Sequence, residues 1–437
     1  MVIVDTALAK RAAEGNPVRV GIIGAGYIAR GMAYTISRAV PGMEVVAVSN
    51  RTVSRAVEVF EVAGHPDVRF VHNIRETEDA ISSGKHAVTD DPHLLCKAGG
   101  IDVIVDLTGE VEFGAEVTLD AIRNGKHIIA SAEVDSLLGP ILKYHADRAG
   151  VVYTGCDGDQ PGVIMNLLRW VRSIGFNPVL AGNIKGILDP YRTPETQAEF
   201  AKKNGQTPRM ATHFADGTKL AMEMAVVANA TGFHAGRRGM YGPVCKHVDE
   251  AVNLFPSDGM LAGGLVDYIL GSEPGPGVFV LGYNDGSVSR TYADYFKRGP
   301  GPFHVFYIPY HFPHAELPLT AARAALFHDA TVTPLGAPAA EVVTVAKKDM
   351  QAGQVLDGFG GFATYGLLDN YRTARQADLL PMGLSEGCRL NKDVAKDQLL
   401  TFDDVNIPKS RLCDQLYSEQ LQRFEGAVCP VGRWNVV

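Results

Sequence analysis

Apolar and polar positions alternate in blocks along the first third of the chain. Val18–Ile23 is a short apolar run that ends in glycines, and Ile28–Ala39 has helical spacing. Glu44–Ser49 reads as a second strand, Ser54–Ala63 as a helix and Ile101–Leu107 as a strong strand. Ala115–Asn124, His127–Ser131, Leu138–Ala149 and Val151–Thr154 continue the rhythm. Strand and helix in alternation predict a parallel, doubly wound sheet. Phe70–Gly100 breaks the pattern and reads as an insertion with short helices.

Beyond Thr154 the pattern changes. Gly162–Ser173 is an amphipathic helix, Ala181–Leu188 a strand, and Asp189–Arg209 polar and loop-rich. Lys219–Ala230 is an apolar helix, and the Gly, Pro and aromatic residues of 232–318 predict long ordered loops. Glu341–Ala346, Ala363–Leu367, Leu379–Gly383 and Leu399–Phe402 are β-like, followed by a helix at Arg411–Phe424. The fold class expected is α/β, in three parts: a Rossmann sheet over 1–155, an α+β substrate domain over 156–335 that also carries subunit contacts, and a β-rich domain over 336–437. At about 150 residues per domain, a chain of 437 residues fits three.

Charge narrows the function classes. With 41 basic and 49 acidic residues the net charge is −8, which disfavours sequence-independent nucleic-acid binding. No apolar run reaches the length of a membrane span, the first residues carry no signal-peptide pattern, and the six cysteines form no CxxC pair. A cytoplasmic enzyme of small molecules is the expectation, as a homodimer or higher homo-oligomer, with neither nucleic acid nor membrane as partner.

Gly24-Ala25-Gly26-Tyr27-Ile28-Ala29 fits G-x-G-x-x-G/A between a strand and a helix. In that context the glycines allow a tight turn and close approach to a pyrophosphate, and the helix start offers free N–H groups. The second strand ends in Ser49-Asn50-Arg51-Thr52, without the acid that would hold the ribose hydroxyls of NAD. Arg51 suits a 2′-phosphate, so NADP(H) is the expected cofactor, with Asn50 beside it. Thr108, Gly109 and Glu133 leave later strands at the carboxyl side and are candidates for the nicotinamide end.

Candidate substrate groups follow. Asp216 reads as a helix N-cap, with a catalytic role as the alternative, and places Lys219 at about the third helical position, where a cation opposes the helix dipole and can face a substrate oxygen. Lys185 lies on the 181–188 strand, and alternation puts it on the same face as Ile187 and Asp189. Arg192, Arg209, Lys297 and Arg298 are candidates for a phosphate. Asp159 and Asp189 are oxygen donors of the kind Mg²⁺ or Mn²⁺ takes. His304, His311 and His314 have no zinc-motif spacing and read as packed or loop residues.

Val105–Gly109, Ala121–Ile129, Ser131-Ala132-Glu133, Gly158–Gly162, Gly186-Ile187-Leu188 and Asp216–Leu220 resemble the homoserine dehydrogenase superfamily over roughly 17–330. Its lysine after the Thr-Ala-Asn segment is replaced by Val134, and the acid for the substrate amino group has no counterpart, so homoserine fits poorly. Ala346–Leu356, Leu380–Leu384 and Lys396–Val405 resemble a SAF module, the β-clip unit also seen at the end of sialic acid synthases. The pairing of these two parts is similar to the DRL enzymes. It implies NADPH-dependent rearrangement and reduction of a phosphorylated ketose, 1-deoxy-D-xylulose 5-phosphate, assisted by a divalent cation, with Lys219 or Lys185 polarising the carbonyl. Two rival readings are a dehydrogenase for another sugar phosphate, sugar acid or polyol, and a non-catalytic dinucleotide sensor.

Overall fold

The computed structural model describes residues 2–295 and 301–429. The chain divides into two compact units. One runs to Asp159 and includes Phe312–Thr333; the other comprises Gln160–His311 and the residues from Pro334 onward.

Seven parallel strands form the sheet of the first unit: β1 (Val18–Ile23), β2 (Met43–Ser49), β3 (Val68–Phe70), β4 (His86–Thr89), β5 (Val103–Asp106), β6 (His127–Ile129) and β7 (Tyr153–Thr154). Their order is β3-β4-β2-β1-β5-β6-β7. The chain winds outward in one direction from β1 and then, through β5, in the other. The carboxyl ends of β1 and β5 therefore flank the switch point, where doubly wound folds bind ligands. Val18, Val20 and Ile22 of β1 are fully buried against Met32 and Ile36 of helix Tyr27–Ala39 and Phe60 of helix Val53–Ala63. The stretch 70–100 is not an insertion. It supplies β4, a buried strand of the main sheet, between helices Ile74–Ser82 and Pro92–Lys97.

Helix Pro313–Phe327, read from sequence as the end of a loop region, returns to this unit and adds Leu317 and Ala321 to its core. A Cβ on Gly31 would lie 2.7 Å from the His314 Cβ, so the glycine is what lets the two helices approach. Asp157, fully buried, accepts the hydroxyls of Thr320 (2.9 Å) and Thr331 (2.6 Å) and faces Arg323 at 3.4 Å, which fastens the returning segment.

The second unit holds a four-stranded sheet of β8 (Asn177–Lys185), β9 (Leu265–Leu270), β10 (Gly277–Tyr283) and β11 (Phe303–Ile308), in the order β11-β10-β8-β9. β8 and β9 are parallel and the other pairs antiparallel. Three of these strands lie where long loops were expected. Glycine, Asp267 and aromatic residues break their apolar runs. Helix Gln160–Ser173 packs on the sheet, as does helix Thr218–Thr231, whose residues are all buried.

The C-terminal part of this unit pairs β12 (Ala340–Ala346) with β13 (Thr364–Asn370) in a seven-residue antiparallel register. Short β14 (Arg389–Leu390) and β15 (Val405–Asn406) pair nearby, and single bridges such as Val343 to Pro381 and Val345 to Leu399 complete the β-rich module. The 379–383 and 399–402 runs contribute bridges and turns, not full strands. Helix Leu412–Arg423 closes the described chain. All six cysteines are free thiols, and among the described residues no helix is long and apolar enough to cross a membrane.

Candidate functional site

In the first unit the turn after β1 is shaped for a dinucleotide. Gly24 has φ +102°, and a Cβ there would sit 2.9 Å from the Leu107 carbonyl oxygen, so only glycine lets the turns after β1 and β5 approach. Gly26 caps helix Tyr27–Ala39 without a side-chain bond, and a Cβ on it would meet nothing within 4 Å. The helix start thus presents uncapped N–H groups to open space, the arrangement that accepts a phosphate. Ala29 is fully buried, Ile28 half-buried, and the exposed Tyr27 ring stands edge-on to His314 at 5.8 Å. These residues fit a dinucleotide.

At the end of β2, the Asn50 N–H donates to the Thr89 carbonyl at 3.0 Å and its side-chain amide to the Thr52 carbonyl at 2.9 Å. That turn projects Arg51 into solvent, with no ion pair among the described residues.

At the end of β5, Asp106 Oδ1 accepts both the backbone N–H (3.0 Å) and the hydroxyl (2.6 Å) of Thr108, and Gly109 follows with φ +69°. Asp106 is buried, and its Oδ2 has no hydrogen-bond partner. Burial pushes its carboxyl up to about 6, against the pull of the Thr108 bonds. Glu133 is buried in the first turn of helix Ala132–Ala149, and Asp135 beside it accepts the Tyr153 hydroxyl at 2.9 Å. Burial raises Asp135 to about 7.

The second unit gathers the basic candidates. Lys185 is the last residue of β8, and its Nζ lies 3.3 Å from Glu223 Oε2. The Asn183 side-chain amide donates to the same oxygen at 3.0 Å. Glu223 is 2% exposed and lies one helical turn after Lys219, on the same face of helix Thr218–Thr231. Lys185 is thus brought to Glu223, and Lys219 stands on the helix face that Glu223 occupies. Because β8 ends at Lys185, Asp189 is not on a strand, and the shared face expected for Lys185, Ile187 and Asp189 does not exist. Instead, Asp189 Oδ2 pairs with Arg192 Nε at 3.0 Å, and its Oδ1 accepts the Tyr191 N–H at 3.1 Å.

Asp216 is not the N-cap. It ends helix Pro208–Ala215, Gly217 (φ +86°) is the cap of the next helix, and Lys219 is its second residue. The glycine takes the left-handed conformation that joins the two helices, which shifts the start by one position. Asp216 Oδ1 accepts the Thr218 N–H at 2.9 Å and Oδ2 pairs with Lys347 Nζ at 2.8 Å, both side chains buried. That carboxylate is a brace, fully engaged. Arg209 is engaged as well: it donates to the Phe359 carbonyl, pairs with Glu386 at 2.9 Å and lies over the Phe359 ring. Its fork is therefore not free for a phosphate. Lys297 and Arg298 lie outside the described residues. Asp159 closes the N-terminal segment of the first unit. Among the described residues no group of three or more His, Cys, Asp or Glu could hold a metal ion. His304 is buried in β11 against Phe176, and His314 belongs to the first unit.

Sequence reasoning passed over Asn183, Glu223, Lys347 and Asp135. One signal was available: Glu223 is the only acid in the otherwise apolar run 219–230, and a buried acid there needs a partner.

Two family models match the chain. Residues 18–131 match the oxidoreductase family, NAD-binding Rossmann fold, and residues 158–317 match the oxidoreductase DRL catalytic domain. Both matched stretches are oxidoreductase modules, the first of the NAD(P)-binding Rossmann type. A homoserine dehydrogenase from Methylobacillus glycogenes is 30% identical over 116 residues, 26% of this chain and 25% of that protein, so the chain spans about a quarter of that curated relative. Among solved structures, the 3-ketoreductase KijD10 from Actinomadura kijaniata, in complex with TDP-benzene and NADP, is 16% identical over 71% of this chain and 90% of that one, with a TM-score of 0.36. An oxidoreductase from Agrobacterium radiobacter, in complex with NAD+, L-tartaric acid and magnesium, is 13% identical over 45% and 54%, with a TM-score of 0.29.

Proposed function

We propose that the chain is an NADPH-dependent oxidoreductase of a small phosphorylated ketose. In its finer form it is a reductoisomerase converting 1-deoxy-D-xylulose 5-phosphate to 2-C-methyl-D-erythritol 4-phosphate. The observation that carries this is the coincidence of the DRL catalytic-domain match, 158–317, with the stretch that pairs Lys185 with the buried Glu223, one helical turn from Lys219. The backbone from Gly24 to Ala29 holds the pyrophosphate, and Arg51 pairs with the 2′-phosphate. When bound, NADPH supplies the hydride. Lys219 and Lys185 place positive charge where the ketose carbonyl oxygen gains negative charge as the carbon skeleton rearranges to an aldehyde. One of them then gives its proton to the alkoxide left by hydride addition. Arg192, half-buried beside Asp189, is the phosphate partner among the described cations.

A divalent cation does not fit the residues described. The Asp189 carboxylate is taken by Arg192 and the Tyr191 N–H, and no step here is routed through a metal. The β12–β13 pair and its bridges support reading 336–437 as a SAF-like β-clip, and the assembly is read as a homo-oligomer.

The Rossmann match, to a family of oxidoreductases at large, favours a second reading: a dehydrogenase of another sugar phosphate, sugar acid or polyol. The test is oxidation of NADPH by purified protein with 1-deoxy-D-xylulose 5-phosphate, with and without Mn²⁺. A panel of sugar phosphates, acids and polyols with NADP⁺ runs beside it. Oxidation above background with the ketose phosphate is expected. Turnover of a panel member alone would replace it by the second reading.

A further inference from the structure

We propose that Lys347, in the C-terminal module, is a positioning residue that holds the substrate groups of the second unit in register. Its side chain is 3% exposed, and its ammonium uses all three of its donors: Asp216 Oδ2 at 2.8 Å, the Arg192 carbonyl at 2.8 Å and the Gly361 carbonyl at 2.9 Å. The first acceptor braces the start of the helix that carries Lys219. The second lies in the loop that follows β8 and Lys185. The third anchors the ammonium in the module's own 356–363 loop. One buried charge thus ties together two segments that are separate in sequence and each carry a candidate substrate cation.

Other bonds run the same way. The Gly366 N–H of β13 donates to the Thr218 hydroxyl at 2.9 Å, a second tie to the helix start. The Tyr191 hydroxyl reaches both oxygens of Asp397 at 2.9 Å, and Lys396 Nζ stands 3.6 Å above the Tyr191 ring. These fix the residue next to Arg192. The module therefore sets where the 189–192 loop lies against the helix start, and a shift of about 1 Å between such groups can cost on the order of 100-fold in rate.

This inference rests on the proposed enzymatic reading only for its kinetic arm. Lys347→Met leaves Asp216 as an unpaired buried carboxylate and lowers Tm. Adding Asp216→Asn removes that charge, so the double variant regains most of the lost Tm, yet nothing then holds the Arg192 carbonyl. Expected for the double variant are Tm near the parent, unchanged NADPH affinity by fluorescence, and kcat/KM for the ketose phosphate down on the order of 100-fold. Faster hydrogen–deuterium exchange over 186–197 is expected as well. Recovery of turnover together with Tm would make the pair merely structural and overturn the proposal. If the parent protein turns over no substrate, the enzymatic reading fails, and the exchange measurement decides alone: unchanged protection of 186–197 overturns the tether.

Discussion

Lys185 Nζ lies 3.3 Å from Glu223 Oε2, across the face between a strand end and a helix that is buried along its whole length. The carboxylate is almost wholly enclosed, while the ammonium keeps some exposure. The carboxylate also accepts the Asn183 amide, so its removal takes an acceptor from two donors at once. Glu223→Leu is expected to lower stability by about 3–5 kcal/mol, the usual cost of breaking a buried pair from one side. Glu223→Gln keeps an oxygen for Asn183 and loses only the charge, at a cost of about 1–3 kcal/mol. Urea unfolding of the two variants separates these outcomes. Equal losses would show that the charge on Glu223, and not its hydrogen bond to Asn183, carries the whole contribution.

Arg51 is exposed, without an ion pair among the described residues, at the end of β2. It costs the apo protein little to lose it, and any effect should appear with the cofactor. A charge-assisted bond to a phosphate contributes about 1.5–3 kcal/mol, or about 10- to 100-fold in affinity. Arg51→Ala should weaken NADPH binding by that factor and leave NADH binding unchanged, read by fluorescence titration. A parallel loss for both cofactors would place Arg51 away from the 2′-phosphate.

The two motif glycines should fail in different ways. Gly24 has φ +102°, and an added Cβ would press on the Leu107 carbonyl at 2.9 Å. Gly24→Ala is therefore expected to cost about 1–2 kcal/mol from the left-handed backbone alone, more with the contact, and to lower Tm. A Cβ on Gly26 meets no atom within 4 Å, so Gly26→Ala should fold with Tm close to the parent. The methyl group would project into the space where a pyrophosphate has to reach the helix start, and dinucleotide affinity should fall sharply. Thermal melts with and without NADPH distinguish the pair: the Gly26 variant should lose the ligand-induced rise in Tm. A normal rise would move the phosphate off this turn.

The N-terminal sheet was legible because β1, β2 and β5 are apolar runs bounded by turn residues, each followed by a helical period. The cradle was legible for the same reason, since Gly24 and Gly26 act through local backbone geometry. β9, β10 and β11 were not, because Asp267 inside β9, the glycines of β10 and His304 in β11 break the apolar run. Helix Pro313–Phe327 starts on one proline and contains another, Pro318, which reads as loop until Leu317 and Ala321 are seen in the core of the first unit. The brace between Asp216 and Lys347 spans 131 residues, a pairing that neither periodicity nor a short motif records. The shift of the helix start to Gly217 had the same effect on Asp216: a cap by spacing became one end of a long-range ion pair.

Asp135 makes stability depend on pH in the direction opposite to a salt-bridged acid. Its carboxyl is buried, accepts the Tyr153 hydroxyl at 2.9 Å on Oδ1, and has no partner on Oδ2. Burial raises it from the usual 3.8 to about 7. Between those values the folded chain keeps a proton that the unfolded chain has released, so the native state binds more protons and stability falls as pH rises. The contribution is whole below about pH 4 and gone above about pH 7, with Asp106, raised to about 6, adding a loss over the lower part of that window. Asp135→Asn is uncharged throughout, keeps an oxygen for Tyr153, and should flatten this part of the profile. Urea unfolding at pH 5 and pH 7.5 should therefore show a smaller drop for the variant than for the parent, with the variant the more stable of the two at pH 7.5. An equal drop in both proteins would assign the proton to another buried acid.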